Sequence, residues 1–235
     1  MSAIPANLQA VRHALEQAAG RAGRQPGELT LLAVSKTKPA GDVLEAALAG
    51  QRDFGENYVQ EGVEKVLALK QLLPAGHAPL VWHFIGPLQS NKTRPVAEHF
   101  DWVHSIDRLK VAQRLSEQRP EHLPPLQVCV QVNVSGEASK SGCAPDQVEA
   151  LCRAVAALPR ICLRGLMTIP APADDLETQR LPLGQLRQLL TALQAGGLAL
   201  DTLSMGMSHD LEAAVLEGST LVRVGTAIFG ARNTP

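Results

Sequence analysis

The sequence lacks the features that define several broad classes of protein. No uninterrupted apolar stretch reaches the ~18 residues that a membrane-spanning helix needs. Residues 1–5 contain no basic segment followed by an apolar core, so no secretory signal is expected. The 22 basic and 23 acidic residues give a net charge of −1, which argues against a nucleic-acid or anionic-membrane surface as the main partner. We therefore expect a cytoplasmic protein.

Cysteine motifs and flexible linkers are also absent. None of the 4 cysteines forms a C-x-x-C pair, and no metal site is predicted. Three of them, Cys129, Cys152 and Cys162, lie in apolar segments and are expected to be buried thiols of a reducing compartment. No glycine- or serine-rich linker interrupts the chain, so residues 1–235 are expected to form a single domain.

What the sequence does contain is a regular alternation of short apolar segments and helical segments. Eight segments have the length and composition of buried strands, at residues 30–34, 52–54, 80–85, 102–105, 126–134, 161–166, 198–203 and 221–224. An amphipathic helix at 5–19 precedes them. Helical segments separate them, among them 183–195, 208–216 and one through Leu115 with Asp107 as its predicted N-cap. Such alternation predicts parallel strands with right-handed crossovers.

The number of βα units favours one α/β architecture, a single-domain (β/α)8 TIM barrel with an extra N-terminal helix. The alternative is an open doubly wound sheet, which would have a glycine-rich turn after the first strand. The residues found there are Ser35-Lys36-Thr37-Lys38. In a barrel the carboxyl ends of all strands share one face, and ligand sites form on that face.

Lys36 follows the first predicted strand closely enough to lie at this face. An ammonium held in a partly dry site loses solvation, its pKa falls, and the neutral amine can attack an aldehyde. A simpler interpretation of this segment alone is that Lys36 is the first solvated residue after a buried strand. Lys38 and Lys140 are the alternative reactive lysines.

The loops after the seventh and eighth predicted strands are short and rich in glycine, serine and threonine. A phosphate in such barrels commonly lies between these two loops, at the N-terminus of a short extra helix. Ser208 and Thr226 are each predicted to open a helix, so backbone N–H groups and hydroxyls would face an anion there. The alternative is that Gly206, Gly225 and Gly230 only permit tight turns. The occurrence of both loops in the expected places favours the phosphate.

Arg223 interrupts an otherwise apolar strand, on the face opposite Val222 and Val224. A buried arginine needs a partner. That partner is either a ligand at the barrel mouth or an acid, with Asp201 and Glu56 as the candidates. A strand-end lysine, a phosphate cradle and a strand arginine on one barrel together describe a site for pyridoxal 5′-phosphate (PLP), an aldehyde that carries a phosphate and a pyridine ring.

The chain resembles the PLP-binding proteins of the YggS/PROSC type, also called pyridoxal phosphate homeostasis proteins. The matching segments occur in order along nearly the whole chain: AVSKTKP (33–39), FGENYVQE (54–61), WHFIGPLQSNK (82–92), VHSID (103–107), VNVSGEASKSG (132–142), GLMTIP (165–170), LSMGMSHDLEAAV (203–215) and VRVGTAIFG (222–230). The family is similar in fold to the barrel domain of bacterial alanine racemase.

The resemblance implies a role for each candidate residue. By resemblance, Lys36 holds PLP as a Schiff base and Arg223 faces the pyridine nitrogen. The other implied contacts are to the phosphate, from Ser208, Gly225, Thr226 and the backbone around Met207, and to the ring, from Asn57, His83 and Met167. Alanine racemase has a second, β-rich domain and takes its second base, a tyrosine, from the partner subunit. The only tyrosine here is Tyr58, so two-base racemisation is not evident and no catalytic residue is predicted.

Arg223 also bears on function. Arginine is always protonated and can only donate, so a pyridine nitrogen facing it stays unprotonated and withdraws electrons poorly. The first hypothesis is therefore a monomeric carrier without enzymatic activity, which buffers PLP in vitamin B6 homeostasis and passes it to PLP-requiring apo-enzymes. The alternatives are a PLP-dependent amino-acid racemase and a regulatory module whose partner recognises the loaded state.

Overall fold

The computed structural model describes residues 2–136 and 141–231. Within them, parallel strands close into a barrel in sequence order, and each strand is followed by a helix. The strands are β1 (Thr30–Val34), β2 (Asp53–Glu56), β3 (Val81–Phe84), β4 (Trp102–Ile106), β5 (Leu126–Gln131), β6 (Ile161–Met167), β7 (Thr202–Ser204) and β8 (Leu221–Val224). The predicted (β/α)8 barrel is confirmed, and the open sheet is excluded.

An extra helix precedes the barrel, as predicted. The helices are α1 (Ile4–Arg21), α2 (Ala40–Leu48), α3 (Val59–Leu72), α4 (Thr93–His99), α5 (Leu109–Gln118), α6 (Val148–Ala156), α7 (Leu176–Ala195), α8 (Leu211–Leu216) and α9 (Thr226–Phe229). Because α9 is a single turn, α1 covers the junction of β8 and β1 and packs against α2, α8 and α9. Asn7 fastens it by donating to the Ile228 carbonyl at 3.0 Å.

The side chains of each strand alternate between the inside of the barrel and the layer between the barrel and the helices. Outward-facing side chains pack with the helices into a continuous apolar layer, which includes Ala33, Phe54 and Val128. Inside the barrel, the apolar cluster is much smaller and consists of Leu32, Ile85 and Leu221 with Val34 packed against it. The remaining space inside the barrel is available for polar groups.

The seventh strand is shorter than predicted, because it begins at Thr202 and not at residue 198. Gly197 turns the chain with a φ of +92°, and Leu198 N then donates to the Leu193 carbonyl at 3.1 Å. Residues 198–200 therefore close the end of α7, and pairing with β6 begins where Asp201 N donates to the Arg164 carbonyl at 2.8 Å. The fifth strand likewise ends earlier than predicted, at Gln131.

The helix before β7 is longer than predicted, because it begins at Leu176 and not at residue 183. The Asp175 side chain caps it by accepting from Thr178 N at 2.9 Å. Pro182 lies inside this helix, where it removes one backbone hydrogen bond. The cap and the buried stripe of α7 outweigh that loss; the stripe consists of Leu183, Leu186, Leu190 and Leu193.

Two predicted helix starts are wrong. Ser208 does not open a helix, because α8 begins after Asp210, and Asp210 instead accepts the N–H of Met207 at 2.6 Å to form a turn. Asp107 is not the N-cap of α5 either. Arg108 holds that position, and its guanidinium donates to the Asp107 carboxylate at 2.7 Å.

One predicted buried thiol is exposed. Cys129 and Cys152 are buried as expected, and Cys143 is buried too, but Cys162 is exposed. Cys162 lies near the amino-terminal end of β6, on the face opposite Ile161 and Leu163, where few neighbours cover it. In the described part of the chain, no helix combines the length and the apolar character required to cross a bilayer.

Candidate cofactor site

The carboxyl ends of β7, β8 and β1 meet at one side of the barrel mouth. A Cβ atom placed on Gly225 would lie 3.1 Å from the Val34 carbonyl oxygen, so the end of β8 packs directly on the end of β1. Arg223 N donates to the Gly206 carbonyl at 2.9 Å and joins β8 to the loop after β7. These contacts bring Lys36 next to the two loops that were predicted to hold phosphate.

Lys36 is half-buried and lies in the turn that follows β1, two residues after Val34. The next residue, Thr37, has a φ of +63°, a left-handed conformation that is strained for a β-branched residue. Its N–H donates to the Glu61 carboxylate at 2.5 Å. Backbone strain beside the candidate anchor is typical of a functional site, where the surrounding structure enforces it.

A buried ion cluster behind β1 supplies that enforcement. Lys65 on α3 donates to the Ser35 carbonyl at 2.6 Å, to Glu56 at 2.8 Å and to Glu61 at 2.6 Å. Ser35 Oγ donates to the same Glu56 oxygen at 2.6 Å. Burial raises the pKa of Glu56, although Lys65 and Ser35 act in the opposite direction. The cluster therefore fixes the backbone on both sides of Lys36.

The alternative lysines are placed differently. Lys38 Nζ donates to the Ala231 carbonyl at 2.8 Å, so its ammonium is directed to the segment after α9. Lys140 lies outside the described residues. Lys36 stays the predicted anchor.

The loop after β8 has the form expected of a phosphate-binding turn. Gly225 is the N-cap residue of α9, and Thr226 is its first, exposed residue. Within the described residues, neither Thr226 N–H nor Ala227 N–H donates to a backbone carbonyl, as is usual in a first helical turn. Ser208 is exposed on the neighbouring loop, whereas the N–H of Met207 is already bound to Asp210. The Met207 N–H is therefore not available to a phosphate in this arrangement.

Residues predicted to contact the ring occupy two levels of the barrel. Asn57 lines a cavity of about 180 Å³ at the mouth, and its Oδ1 is buried with no partner among the described residues. A polar ligand in this cavity would supply the missing partner, which fits the predicted cofactor. Met167 is fully buried at the end of β6. His83 lies deeper, bonded to Asp53 and His104, and its contact with a ring stays a prediction.

Arg223 is buried inside the barrel and held by three hydrogen bonds. Its Nη1 donates to the Ser204 carbonyl at 2.8 Å and to Ser204 Oγ at 2.9 Å, and its Nη2 donates to the Thr168 carbonyl at 2.8 Å. Burial lowers the pKa of Arg223 to about 10, so the guanidinium is still a cation at neutral pH. Of its five N–H bonds, Nε–H and one Nη2–H have no acceptor among the described residues.

The acids considered as partners of Arg223 are bound elsewhere, so the predicted ion pair is wrong. Asp201 accepts from Arg164, and Glu56 accepts from Lys65. Arg223 thus donates only to neutral acceptors among the described residues, and the buried Asp210 carboxylate acts on its charge without a hydrogen bond to it.

Sequence analysis missed four residues that shape the site. His104 and Ser204 lie in apolar strands, and the same signal that singled out Arg223 could have identified them. Glu61 and Lys65 have the spacing of an ion pair on one helical face.

A larger cavity, of about 840 Å³, lies between α7 and the loops after β5 and β6. It runs along α7, and none of the predicted site residues lines it; its charged lining residues are Glu177, Arg180, Arg187 and Glu217. Arg180 and Arg187 both pair with Glu217, so these charges neutralise one another. Volume alone therefore does not mark the site in this protein.

Comparisons with known proteins agree with the fold and with the predicted cofactor. The model of the family described as alanine racemase, N-terminal domain, matches residues 6–233. The pyridoxal phosphate homeostasis protein of Pseudomonas aeruginosa is 61% identical over 233 residues, which cover 99% of this chain and 97% of that protein. The protein of the same name from Escherichia coli K12 is 56% identical, with coverages of 99% and 98%.

A solved structure gives the same result in three dimensions. PipY of Synechococcus elongatus with PLP bound has a TM-score of 0.77 and 40% identity, covering 92% of this chain and 99% of that chain. The chain therefore belongs to the family of pyridoxal phosphate homeostasis proteins, within the broader alanine racemase N-terminal domain family.

Proposed function

We propose that this protein binds PLP at the barrel mouth, covalently through Lys36, and serves PLP homeostasis as a carrier. The observation that carries the proposal is the convergence of Lys36, Arg223 and the first turn of α9 on one side of the mouth. The names of its relatives, and the PLP bound to PipY, support the same conclusion.

Different residues are proposed to bind different chemical groups of PLP. When bound, PLP supplies an aldehyde that condenses reversibly with an amine. Lys36 supplies the amine, and the cluster of Lys65, Glu56 and Glu61 keeps its backbone in place. The N–H groups and hydroxyls around Thr226 and Ser208 hold the phosphate.

Arg223 favours storage of the ligand over catalysis. Its free N–H groups donate to the ring nitrogen, and a guanidinium that stays charged at neutral pH does not give up its proton to that nitrogen. The ring then withdraws few electrons from a bound amino acid, whereas reversible exchange of the aldehyde between amines is unaffected. Tyr58, the chain's only tyrosine, is 55% exposed at the start of α3 and does not line the cavity beside Asn57.

The proposal also covers the location, the oligomeric state and the transfer partners of the PLP-loaded protein. We infer that it is a cytoplasmic monomer that passes PLP to apo-enzymes. Light scattering after gel filtration measures its mass. Mixing loaded protein with a PLP-requiring apo-enzyme, and following recovery of that enzyme's activity, measures transfer. A dimer, or recovery no faster than with free PLP at the same concentration, contradicts these parts.

The central test is the substitution Lys36→Ala. We expect wild-type protein incubated with PLP to develop a visible absorbance band, and borohydride to fix the label on the peptide that contains Lys36. Lys36→Ala should lose both signals, because the amine is gone, while the control Lys38→Ala keeps them. A wild-type protein that stays colourless, or a label that persists in Lys36→Ala, refutes the assignment.

Racemase activity is the second candidate, because the matching family model is that of the alanine racemase N-terminal domain. Loaded protein is incubated with L-alanine and other L-amino acids, and D-enantiomers are measured by chiral chromatography. We expect no turnover above the background given by free PLP. Turnover that disappears in Lys36→Ala would establish the enzyme instead.

A further inference from the structure

A continuous hydrogen-bond chain crosses the inside of the barrel from its amino-terminal end to Arg223. Asp53 Oδ1 lies 3.0 Å from His83 Nε2, and His83 Nδ1 lies 2.9 Å from His104 Nε2. His104 Nδ1 lies 2.7 Å from Ser204 Oγ, which also accepts from Arg223 at 2.9 Å. Five strands contribute one residue each, and Ser204 provides the last link to Arg223 on β8.

If both histidines are neutral, the Asp53 end fixes the direction of this hydrogen-bond chain. The Asp53 carboxylate can only accept at neutral pH, and Arg223 can only donate. His83 Nε2–H therefore donates to Asp53, and His104 Nε2–H donates to His83 Nδ1. Ser204 then donates its own proton to His104 Nδ1 and accepts from Arg223. Every group has a partner when both histidines are neutral and carry their proton on Nε2.

With His104 neutral, only one other assignment satisfies both contacts of His83. In it, His83 is a cation that donates to Asp53 and to His104, and His104 carries its proton on Nδ1. A second cation in the interior that already holds Arg223 would be costly to desolvate. Burial, with the charges of His83 and Arg223, also holds the pKa of His104 well below its usual range, so His104 is neutral in either case. The neutral assignment therefore has the lower electrostatic cost.

At the far end of the hydrogen-bond chain, at the base of the barrel, His83 is buried whereas the Asp53 side chain is 25% exposed. The rings of His83 and Trp102 stack, with centroids 5.4 Å apart, and the Arg164 guanidinium lies 5.2 Å from the Trp102 ring. The cavity at this base has further charged groups around Asp53; these are Arg24, Glu28, Arg164 and Asp201. Asp201 is engaged with Arg164 and has no hydrogen bond to the chain among the described residues.

We propose that Asp53, His83, His104 and Ser204 are positioning residues, which act through Arg223 to select a ligand with an unprotonated ring nitrogen at the barrel mouth. The hydrogen-bond chain ends at Ser204 Oγ, which accepts from Arg223 Nη1 and so fixes the plane of the guanidinium. The N–H groups of Arg223 that have no acceptor among the described residues therefore keep one orientation. A ring carrying a lone pair satisfies them, and a carbocyclic ring leaves them unpaired. The identity of the ligand in this proposal rests on the proposed function. The direction of the hydrogen-bond chain does not depend on it.

The direction is tested without any cofactor. In protein labelled with 15N-histidine, the ring nitrogen shifts of His83 and His104 report which nitrogen carries the proton. We expect both rings to carry their single proton on Nε2. Asp53→Ala removes the final acceptor and should change the proton position on both rings, whereas Asp53→Asn restores an acceptor and the original pattern. An imidazolium at His83, or a proton on His104 Nδ1 in the wild type, overturns the proposal.

The coupling to the ligand is tested at long range. PLP and its carbocyclic analogue, in which CH replaces the ring nitrogen, are compared for binding by wild type, Asp53→Ala and the control Asp201→Ala. We expect wild type and Asp201→Ala to prefer PLP by about tenfold or more, the value of one charged hydrogen bond. Asp53→Ala should show a smaller preference and an altered visible spectrum of bound PLP.

The outcomes separate this proposal from the proposed function. Equal preference and identical spectra in Asp53→Ala and wild type refute the positioning role, even if PLP binds normally. A wild-type protein that takes up no PLP refutes the proposed function and with it the ligand selected here. In that case the nitrogen shifts still decide whether the chain runs from Arg223 to Asp53.

Discussion

The inward-facing and outward-facing side chains of the same barrel are equally buried but differ in chemistry. On β5 the outward residues Leu126, Val128 and Val130 are fully buried in the apolar layer. Inside the barrel, His104 on β4 and Arg223 on β8 are nearly as inaccessible, yet both are polar and hydrogen-bonded. Burial therefore does not distinguish the residues that hold the fold from those that shape the site.

The two sets of residues differ in whether their interactions depend on orientation. Apolar burial is non-directional and roughly proportional to area, so the outer layer stabilises the fold whatever its detailed contacts. A hydrogen-bonded interior is satisfied in only one arrangement, and an unpaired group there is costly. Outward substitutions should therefore change stability without changing the ligand site, and inward ones should change the site.

The largest loss of stability is expected from Lys65→Met. Lys65 and Glu56 form an ion pair inside the outer layer and are therefore an exception to its apolar character. Lys65→Met leaves the Glu56 charge buried without its cation, which should cost about 3–5 kcal/mol of unfolding free energy. Urea unfolding measures the loss. The control Lys70→Met lies on the same helix but is exposed, and it should change stability by no more than about 0.5 kcal/mol.

The pH dependence of Lys65→Met gives an independent check. Burial already raises the pKa of Glu56, and loss of the Lys65 ammonium raises it further. A raised folded-state pKa adds stability below the unfolded-state pKa and loses it as pH rises through the folded value. The deficit of Lys65→Met should thus shrink when pH is lowered from 7 toward 5. A deficit that grows with acidification would contradict the assignment.

The second effect concerns the apolar layer itself. Leu126→Ala removes a fully buried outward side chain and should cost about 2–5 kcal/mol, because a cavity remains. The visible spectrum of bound PLP should nevertheless equal that of wild type. The control Leu181→Ala, at a side chain that is 71% exposed, should change stability by less than about 0.5 kcal/mol. A changed spectrum in Leu126→Ala would show that the two interiors are coupled.

The same difference explains how much the sequence could predict. The bounds of β1 and β8 agree with the prediction, because apolar runs end there at polar or glycine residues. β7 was misplaced, because Leu198 is as apolar as a strand residue but closes α7. Cys162 was predicted to be buried because apolar neighbours in sequence do not reveal which face of a strand is covered.

For the candidate site, the sequence predicted individual residues but not the hydrogen bonds between them. Lys36 and the loops after β7 and β8 were predicted as site residues because a barrel brings strand ends together. The partners of Arg223 were not found, because they depend on which inward residues of β4, β7 and β8 share one layer. His83 was assigned to the ring by its motif, while its hydrogen bonds lead through His104 and Ser204.

The third effect lies between the two regions, in the loop after β7. Gly206 has a φ of +97°, and a Cβ placed on it would lie 2.5 Å from the Ala214 Cβ. Gly206→Ala should therefore cost about 1–3 kcal/mol and weaken PLP binding, because the loop proposed to hold the phosphate must shift. The control Gly41→Ala, which meets no atom within 4 Å at the start of α2, should be neutral or slightly stabilising. Equal affinities in both variants would exclude this loop from the phosphate site.

The smallest effect is expected at the base of the barrel, where the inward face becomes accessible to solvent. Arg164 and Asp201 form a bidentate pair whose side chains are 32% and 57% exposed. Asp201→Ala should cost about 1 kcal/mol or less, and raising the salt concentration should reduce the difference from wild type. Urea unfolding at two ionic strengths measures both. A salt-independent loss of several kcal/mol would mean that this pair, like Lys65 and Glu56, acts as a buried one, and that the ordered interior extends to the base.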